Sequence, residues 1–198
     1  KAEIANIVPL SDVEVKILLN DFDNSYFGIR NKLMVMLMLD SGLRRGEVVN
    51  LESKNIFMHN NTMLVQGKGE KERLVPFGEE TKRYINRYSH MRNEYEKRFF
   101  QKEDGTPITD NTIKMYFQDL KESTGIIRLH PHLLRHTFAT NYILYGGDVE
   151  ELRILLGHTS LQMTMKYVHL ATQQRILNQR YHSHIDKLFC QYDNKLAQ

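Results

Sequence analysis

Only one cysteine, Cys190, occurs in the 198 residues. No intramolecular disulfide can form, and neither can a zinc site built on several thiolates. A reducing, cytoplasmic compartment fits such a chain. Long apolar runs are also missing. The longest, Leu33 to Leu39, has seven residues, whereas a membrane-crossing helix needs roughly 20. It reads instead as a helix buried on all sides. No charged-then-apolar signal segment opens the chain. The first residue is Lys1 rather than Met, which sets the expectation of a fragment or a trimmed piece. Excess charge is small, at +3 with a pI near 8.9, and by itself points only weakly to nucleic acid. The excess is concentrated: residues 44–98 carry twelve basic and eight acidic side chains. Internal repeats, low-complexity tracts and obvious linkers are absent, and four prolines and eleven glycines are scattered as punctuation.

What is present suits one good-sized domain with a real core: 41% hydrophobic and 26% charged residues, ordinary for a globular chain. Ser11 and Glu14 stand at capping-box spacing and predict a helix over about 12–22. A second, over about 26–40, holds the apolar run and stops near Gly42; a short third follows at about 45–51. The pattern then changes. Residues 56–58 and 63–65 flank His59-Asn60-Asn61, a hairpin signal, and residues 73–77 supply a third strand that Pro76 marks as an edge. Helices are expected at about 79–98, 110–123, 131–145, 148–156, 160–169 and 172–189. Asp148 with Glu151, and Thr159 with Gln162, repeat the capping-box spacing. The expected class is mainly α with one small three-stranded antiparallel sheet, an α+β domain.

Four clusters carry chemistry. In Ser41-Gly42-Leu43-Arg44-Arg45-Gly46-Glu47 a helix stops and arginines open the next. Cations at a helix N-terminus are unfavourable unless an anion binds nearby; a plain surface pair beside Glu47 is the alternative. In Gly67-Lys68-Gly69-Glu70-Lys71-Glu72-Arg73 a lysine between glycines on a hairpin tip suits a proton donor or a phosphate contact, though a solvated turn looks the same. In His130-Pro131-His132-Leu133-Leu134-Arg135-His136-Thr137-Phe138, Pro131 suits a first helical turn. His132 and Arg135 share a face, and Leu134, Phe138, Tyr142 and Tyr145 mark a second face expected in the core. His132 and His136 could share a metal, but the segment offers no acidic third ligand. In Leu156-Gly157-His158-Thr159, His158 sits between two helices, nine residues before Tyr167. Singly, each cluster has an ordinary explanation. Jointly, two arginines, a lysine, two histidines and a tyrosine at turns and helix ends can neutralise a phosphodiester, move protons and supply a nucleophile.

In order and spacing these clusters resemble the tyrosine recombinases, the family of phage integrases, Xer recombinases and conjugative-transposon integrases. The matches run S-G-L-R-R-G-E at 41–47, G-K-G-E-K-E-R at 67–73, H-P-H-L-L-R-H-T-F-A-T at 130–140, L-G-H at 156–158 and Tyr167, so the likeness covers about Leu10 to Ala171. Gly46 departs from the serine or other small helix residue of many relatives. The resemblance implies a site-specific recombinase working through a 3′-phosphotyrosine intermediate, with no cofactor and no metal. It implies that Arg44 and Arg135 grip the scissile phosphate, that His132 assists proton removal, and that His158 hydrogen-bonds the phosphate. Lys68 would protonate the leaving 5′ hydroxyl and Tyr167 would attack. A type IB topoisomerase and a non-catalytic DNA-binding regulator remain as rivals. The expected partner is double-stranded DNA, bound as a homotetramer by a protein that is a monomer in isolation, encoded by a bacterium, phage or mobile element. The expected organisation is one catalytic domain over 1–198, core about 10–171, with the family's N-terminal core-binding domain absent from the chain. Ile176, Leu177, Ile185, Leu188 and Phe189 would give the 172–198 tail an apolar face to dock on a neighbouring protomer.

Overall fold

The computed structural model describes residues 8–67, 72–177 and 185. Eight α-helices are found among them: α1 Asp12–Asn20, α2 Tyr26–Asp40, α3 Arg45–Asn50, α4 Glu79–Ser89, α5 Asp110–Thr124, α6 Pro131–Leu144, α7 Val149–Leu156 and α8 Gln162–Leu177. Between α3 and α4 lies an antiparallel sheet of β1 Ile56–Phe57, β2 Thr62–Gln66 and β3 Glu72–Pro76, in the order β1-β2-β3. Pro76 lies on an edge strand, where its missing N–H costs no ladder bond.

Local chemistry sets most boundaries. The Ser11 hydroxyl accepts from Glu14 N–H, and the Glu14 carboxylate accepts from Ser11 N–H, closing the box that starts α1. The His130 imidazole Nδ1 accepts from Leu133 N–H at 3.2 Å and Pro131 takes the first helical position of α6. Asp148 caps α7 by accepting from Glu150 and Glu151 N–H without the reciprocal bond its spacing suggested. Gly42 closes the turn after α2 with φ +64°.

Two apolar clusters meet in α6. Leu133 and Leu134 belong to the larger one, with α2, the sheet, α4 and α5. Phe138, Ala139 and Ile143 belong to the smaller one, with Leu152, Leu155 and Leu156 of α7 and Tyr167 and Ala171 of α8. Arg135 and His136 therefore sit where the two clusters join. Helix α2 is buried on nearly every side, as its sequence predicts, including Arg30, which donates to the Gln101 carbonyl at 2.9 Å.

Four expectations need correction. The helix expected to reach residue 98 ends at Ser89, and residues 90–98 are irregular, folded over the Arg92 guanidinium, which donates to the carbonyls of Glu96, Arg98 and Phe99. The helix expected at 160–169 and the start of the one expected at 172–189 are one helix, α8, as far as Leu177, because Ala171 is buried in the contact with α6 and α7 and no residue there breaks the helix; the rest of that second helix, apart from Ile185, lies outside the described residues. The start of α8 is Gln162 rather than residue 160, and the Thr159 hydroxyl points to the Met163 sulfur. Tyr145, expected in the core, lies beyond the last turn of α6 and is exposed. Ile176, Leu177 and Ile185 are exposed in this chain; Leu188 and Phe189 lie outside the described residues.

Gly42 offers a direct test of this seam. A Cβ there would lie 2.4 Å from Phe138 Cδ1, on a backbone that L-residues disfavour. Gly42→Ala should lower stability by about 2–4 kcal/mol in urea unfolding; a loss well below that would mean the Phe138 ring is free to move aside.

Candidate active site

The site is organised by a buried carboxylate. Glu47, in the first turn of α3, is 5% exposed. Arg73, from β3, donates Nη1 to Glu47 Oε1 at 2.8 Å and Nη2 to Oε2 at 2.9 Å, a two-toothed pairing that fixes both planes. Arg44 donates its backbone N–H to Oε2 at 2.7 Å and its Nη1 to Oε1 at 2.8 Å. Arg135 of α6 stands 4.0 Å from Oε2. Burial alone would raise the Glu47 pKa, but the Arg73 hydrogen bonds and charge, then those of Arg44, hold it down at about 2. Glu47 is therefore an anion at every physiological pH.

One carboxylate faces three guanidiniums, so the cluster keeps an excess of positive charge. Backbone carbonyls take up the remaining donors. Arg44 Nη2 donates to the Leu156 carbonyl at 2.9 Å, and Arg135 Nη2 donates to the same oxygen at 2.5 Å. Arg135 Nη1 donates to the Gly42 carbonyl and Arg73 Nε to the Leu155 carbonyl. The C-terminal end of α7 thus supplies the negative pole of its dipole to a ring of cations. Burial, then Arg44, push Arg135 down to about 9, which still leaves it charged at neutral pH. Arg44 is the exception in exposure: about a third of its side chain remains open, against less than a tenth for Arg73 and Arg135. It lines two clefts. One, about 710 Å³, is bounded by Arg44, Arg73, Gly67, Arg153, Gly157 and His158. The other, about 570 Å³, is bounded by Arg44, Arg45, Gln66, Asn50, His130 and His132.

Behind the first cleft lies the phenol. Tyr167, on α8, is 2% exposed. Its ring stacks on His158 with centroids 6.3 Å apart and planes 14° apart, and the Lys166 ammonium sits 4.9 Å from its centre. Its hydroxyl lies 2.9 Å from His136 Nδ1. Burial raises the phenol above its usual value, while Arg135 and Arg44 pull the other way. His158 is held from three directions. Its N–H donates to the Arg153 carbonyl, its carbonyl accepts from Arg153 Nη1, and its Nδ1 meets Thr164 Oγ1 at 2.9 Å. Burial, then Arg135 and Arg44, lower His158 to about 4. Burial, then Lys166, lower His136 to about 4. Burial, then Arg135, lower His132 as well. A neutral imidazole can accept or donate a hydrogen bond, so this is a set of permanently charged guanidiniums beside uncharged proton carriers.

Of the residues singled out in the sequence, Arg44 and Arg135 converge on one carbonyl, His158 and Tyr167 stack, and His132 lines the cleft on the far side of Arg44. Lys68 lies outside the described residues. Sequence reasoning missed Arg73 as a partner of Glu47 and His136 as the partner of Tyr167. The spacing of Arg44 and Glu47 hinted at a local pair, and His136 drew notice only for a possible metal. Nothing in the strand pattern marked Arg73. Among the described residues no group of three or more His, Cys, Asp or Glu side chains is placed to hold a metal ion.

A family model described as the phage integrase family matches residues 10–174. The chain is 37% identical over 155 residues to the tyrosine recombinase XerC of Staphylococcus epidermidis, covering 74% of this chain and 51% of that protein. It thus spans about half the length of the curated relatives it matches. Among solved structures, the XerA recombinase superposes with a TM-score of 0.77 at 29% identity, over 89% of this chain and 66% of that one. The Tn1549 transposon integrase, solved in complex with circular intermediate DNA, has the same fold, with a TM-score of 0.72 at 21% identity over 97% of this chain and 68% of that one.

The Glu47 cluster makes a sharp stability prediction. Glu47→Gln leaves Arg73 buried with half its pairing gone and should cost about 3–5 kcal/mol at pH 7. The Glu47 pKa is depressed on folding, from 4.5 to about 2. Its contribution is therefore complete above pH 4.5 and lost as pH falls toward 2. Urea titrations across that range should show the gap between the parent protein and Glu47→Gln closing as the solution is acidified.

Proposed function

Because the chain belongs to the phage integrase family, we propose that it is the catalytic part of a tyrosine-type site-specific recombinase. It cleaves and rejoins duplex DNA through a 3′-phosphotyrosine bond. The observation that carries this reading is the convergence of Arg44 and Arg135 on the Leu156 carbonyl, next to a buried tyrosine stacked on His158.

The chemistry follows from the charges. A phosphodiester repels nucleophiles, and its transition state accumulates negative charge on the non-bridging oxygens. Arg44, open to the cleft, and Arg135, fixed by two carbonyls, supply planar donors that stay charged. Their geometry is set before substrate arrives, so little reorganisation is needed during reaction. His158 hydrogen-bonds the phosphate, and His132, which lines its own cleft and makes no hydrogen bond to Tyr167 among the described residues, assists proton removal indirectly. Tyr167 Oη attacks phosphorus, and the 5′ oxygen departs with a proton from Lys68. The ester formed keeps the energy of the broken bond, so a free 5′ hydroxyl can reverse the step without a nucleotide.

Duplex DNA is the partner in this reading, which the complex of the transposon integrase with circular intermediate DNA supports. The chain forms one catalytic unit, with a core at about 10–171 and a tail at 172–198, that is monomeric alone and assembles as a homotetramer on DNA. The tail then docks on a neighbouring protomer.

Covalent capture tests this. Incubated with nicked duplexes of randomised sequence, the protein should yield denaturant-resistant adducts whose DNA converges on one site. Tyr167→Phe should abolish them. Arg44→Ala or Arg135→Ala should each slow adduct formation by roughly 10²–10³-fold. Absence of any adduct, or one that survives Tyr167→Phe, defeats the proposal; adducts without sequence convergence, with relaxation of arbitrary plasmids, would make the protein a topoisomerase.

A further inference from the structure

Phosphoryl transfer to a tyrosine requires the phenolic proton to leave as the oxygen–phosphorus bond forms. A proton acceptor has to lie within hydrogen-bond reach of Oη. The described residues near Tyr167 divide clearly on this test. His158 lies flat against the ring face, and its Nδ1 is engaged with Thr164. Lys166 sits over the ring centre and carries its charge as a donor. His132 faces the cleft shared with Arg44 and Arg45 and makes no hydrogen bond to Tyr167 among the described residues. His136 alone meets the hydroxyl, Nδ1 to Oη at 2.9 Å.

On the strength of that contact, and resting on the recombinase reading above, we propose that His136 is a further catalytic residue, positioning the Tyr167 hydroxyl and taking its proton during attack. In this step the Oη–H bond breaks and its proton passes to His136 Nδ1, giving an imidazolium. The Oη electron pair forms the bond to phosphorus, the bond from phosphorus to the 5′ oxygen breaks, and that oxygen is protonated by the general acid. In the return reaction the imidazolium gives the proton back to the departing phenol. No oxidant, metal or second substrate enters.

The fold supports this assignment. His136 follows Arg135 directly on α6, so one helical turn presents the phosphate-binding guanidinium and the proton acceptor together. Tyr167 comes from α8, whose contact with α6 is buried through Ala139 and Ala171. To accept from the phenol, Nδ1 must be unprotonated. Burial, with Lys166, His132, Arg135 and His130 around it, holds the imidazole neutral. A bound phosphodiester neutralises part of that positive surround and makes the imidazole a better base at the moment it is needed.

The experiment uses the full chain and the duplex recovered by covalent capture, in single-turnover cleavage. His136→Phe should slow cleavage by roughly 10²–10⁴-fold with duplex affinity and thermal midpoint near those of the parent. His136→Gln, which keeps an acceptor oxygen, should recover part of the loss, and serves as the test if the phenylalanine variant does not fold. Replacing Tyr167 by a fluorinated tyrosine, whose phenol is more acidic, should rescue both variants at least tenfold while changing the parent little. A duplex with a sulfur at the 5′ leaving position needs no general acid and should not rescue them. Parental rates in both variants, or slow rates that the fluorinated tyrosine leaves unchanged, would reduce His136 to a packing residue. Faster cleavage than the parent would make it a brake on the nucleophile. If the parent itself forms no Tyr167 adduct, it is the recombinase reading that fails.

Discussion

The pairing of Glu47 with three arginines is the constraint on which the rest of this structure depends. A carboxylate at 5% exposure is tolerable only when its lone pairs are filled and its charge is met. Filling them brings Arg44 at the start of α3 and Arg73 of β3 to one point, and the charge of Arg135 in the first turns of α6 stands 4.0 Å away. It also recruits the carbonyls of Leu155 and Leu156, so the end of α7 is bound in as well. A small sheet that would be marginal alone is thereby locked to the helices. The same ion cluster leaves a surplus of positive charge, with Arg44 as its open member.

That surplus explains the state of the neighbouring histidines. Each imidazole is buried among guanidiniums, and both effects disfavour its protonated form. His136 and His158, both lowered to about 4, are held neutral near pH 7. The phenol is pushed in opposite senses by burial and by Arg135 and Arg44, so an approaching anion meets fixed charge on one side and uncharged proton carriers on the other. Preorganisation here is a property of packing: the two apolar clusters that share α6 hold Arg135 and His136 at their junction, and the junction is the site.

Local signals were legible where local chemistry decides. The Ser11 box, Pro131 at the head of α6, Gly42 and Gly157 at helix ends, and the hairpin about Asn60 all act within a few residues. The apolar run of α2 announced a helix with no polar face. Where the signal was an average, it failed. Mixed charge over 79–98 looked helical throughout, yet the Arg92 guanidinium gathers three carbonyls and ends the helix early. The join between 169 and 172 looked like a break, but Ala171 fits between α6 and α7, and packing carries α8 through.

The sequence by itself determined the fold class, the family and most of the element order, because five short motifs in fixed order are read along the chain and need no geometry. It also named Arg44, Arg135, His158 and Tyr167, which the fold gathers. Only the tertiary structure decided that Glu47 is the buried centre, that Arg73 rather than Arg44 pairs with it through both nitrogens, and that His136 meets the tyrosine hydroxyl. The reason is physical. Arg73 lies 26 residues from Glu47 and His136 lies 31 from Tyr167; contacts at such separations arise from helix and strand packing, which no local spacing encodes.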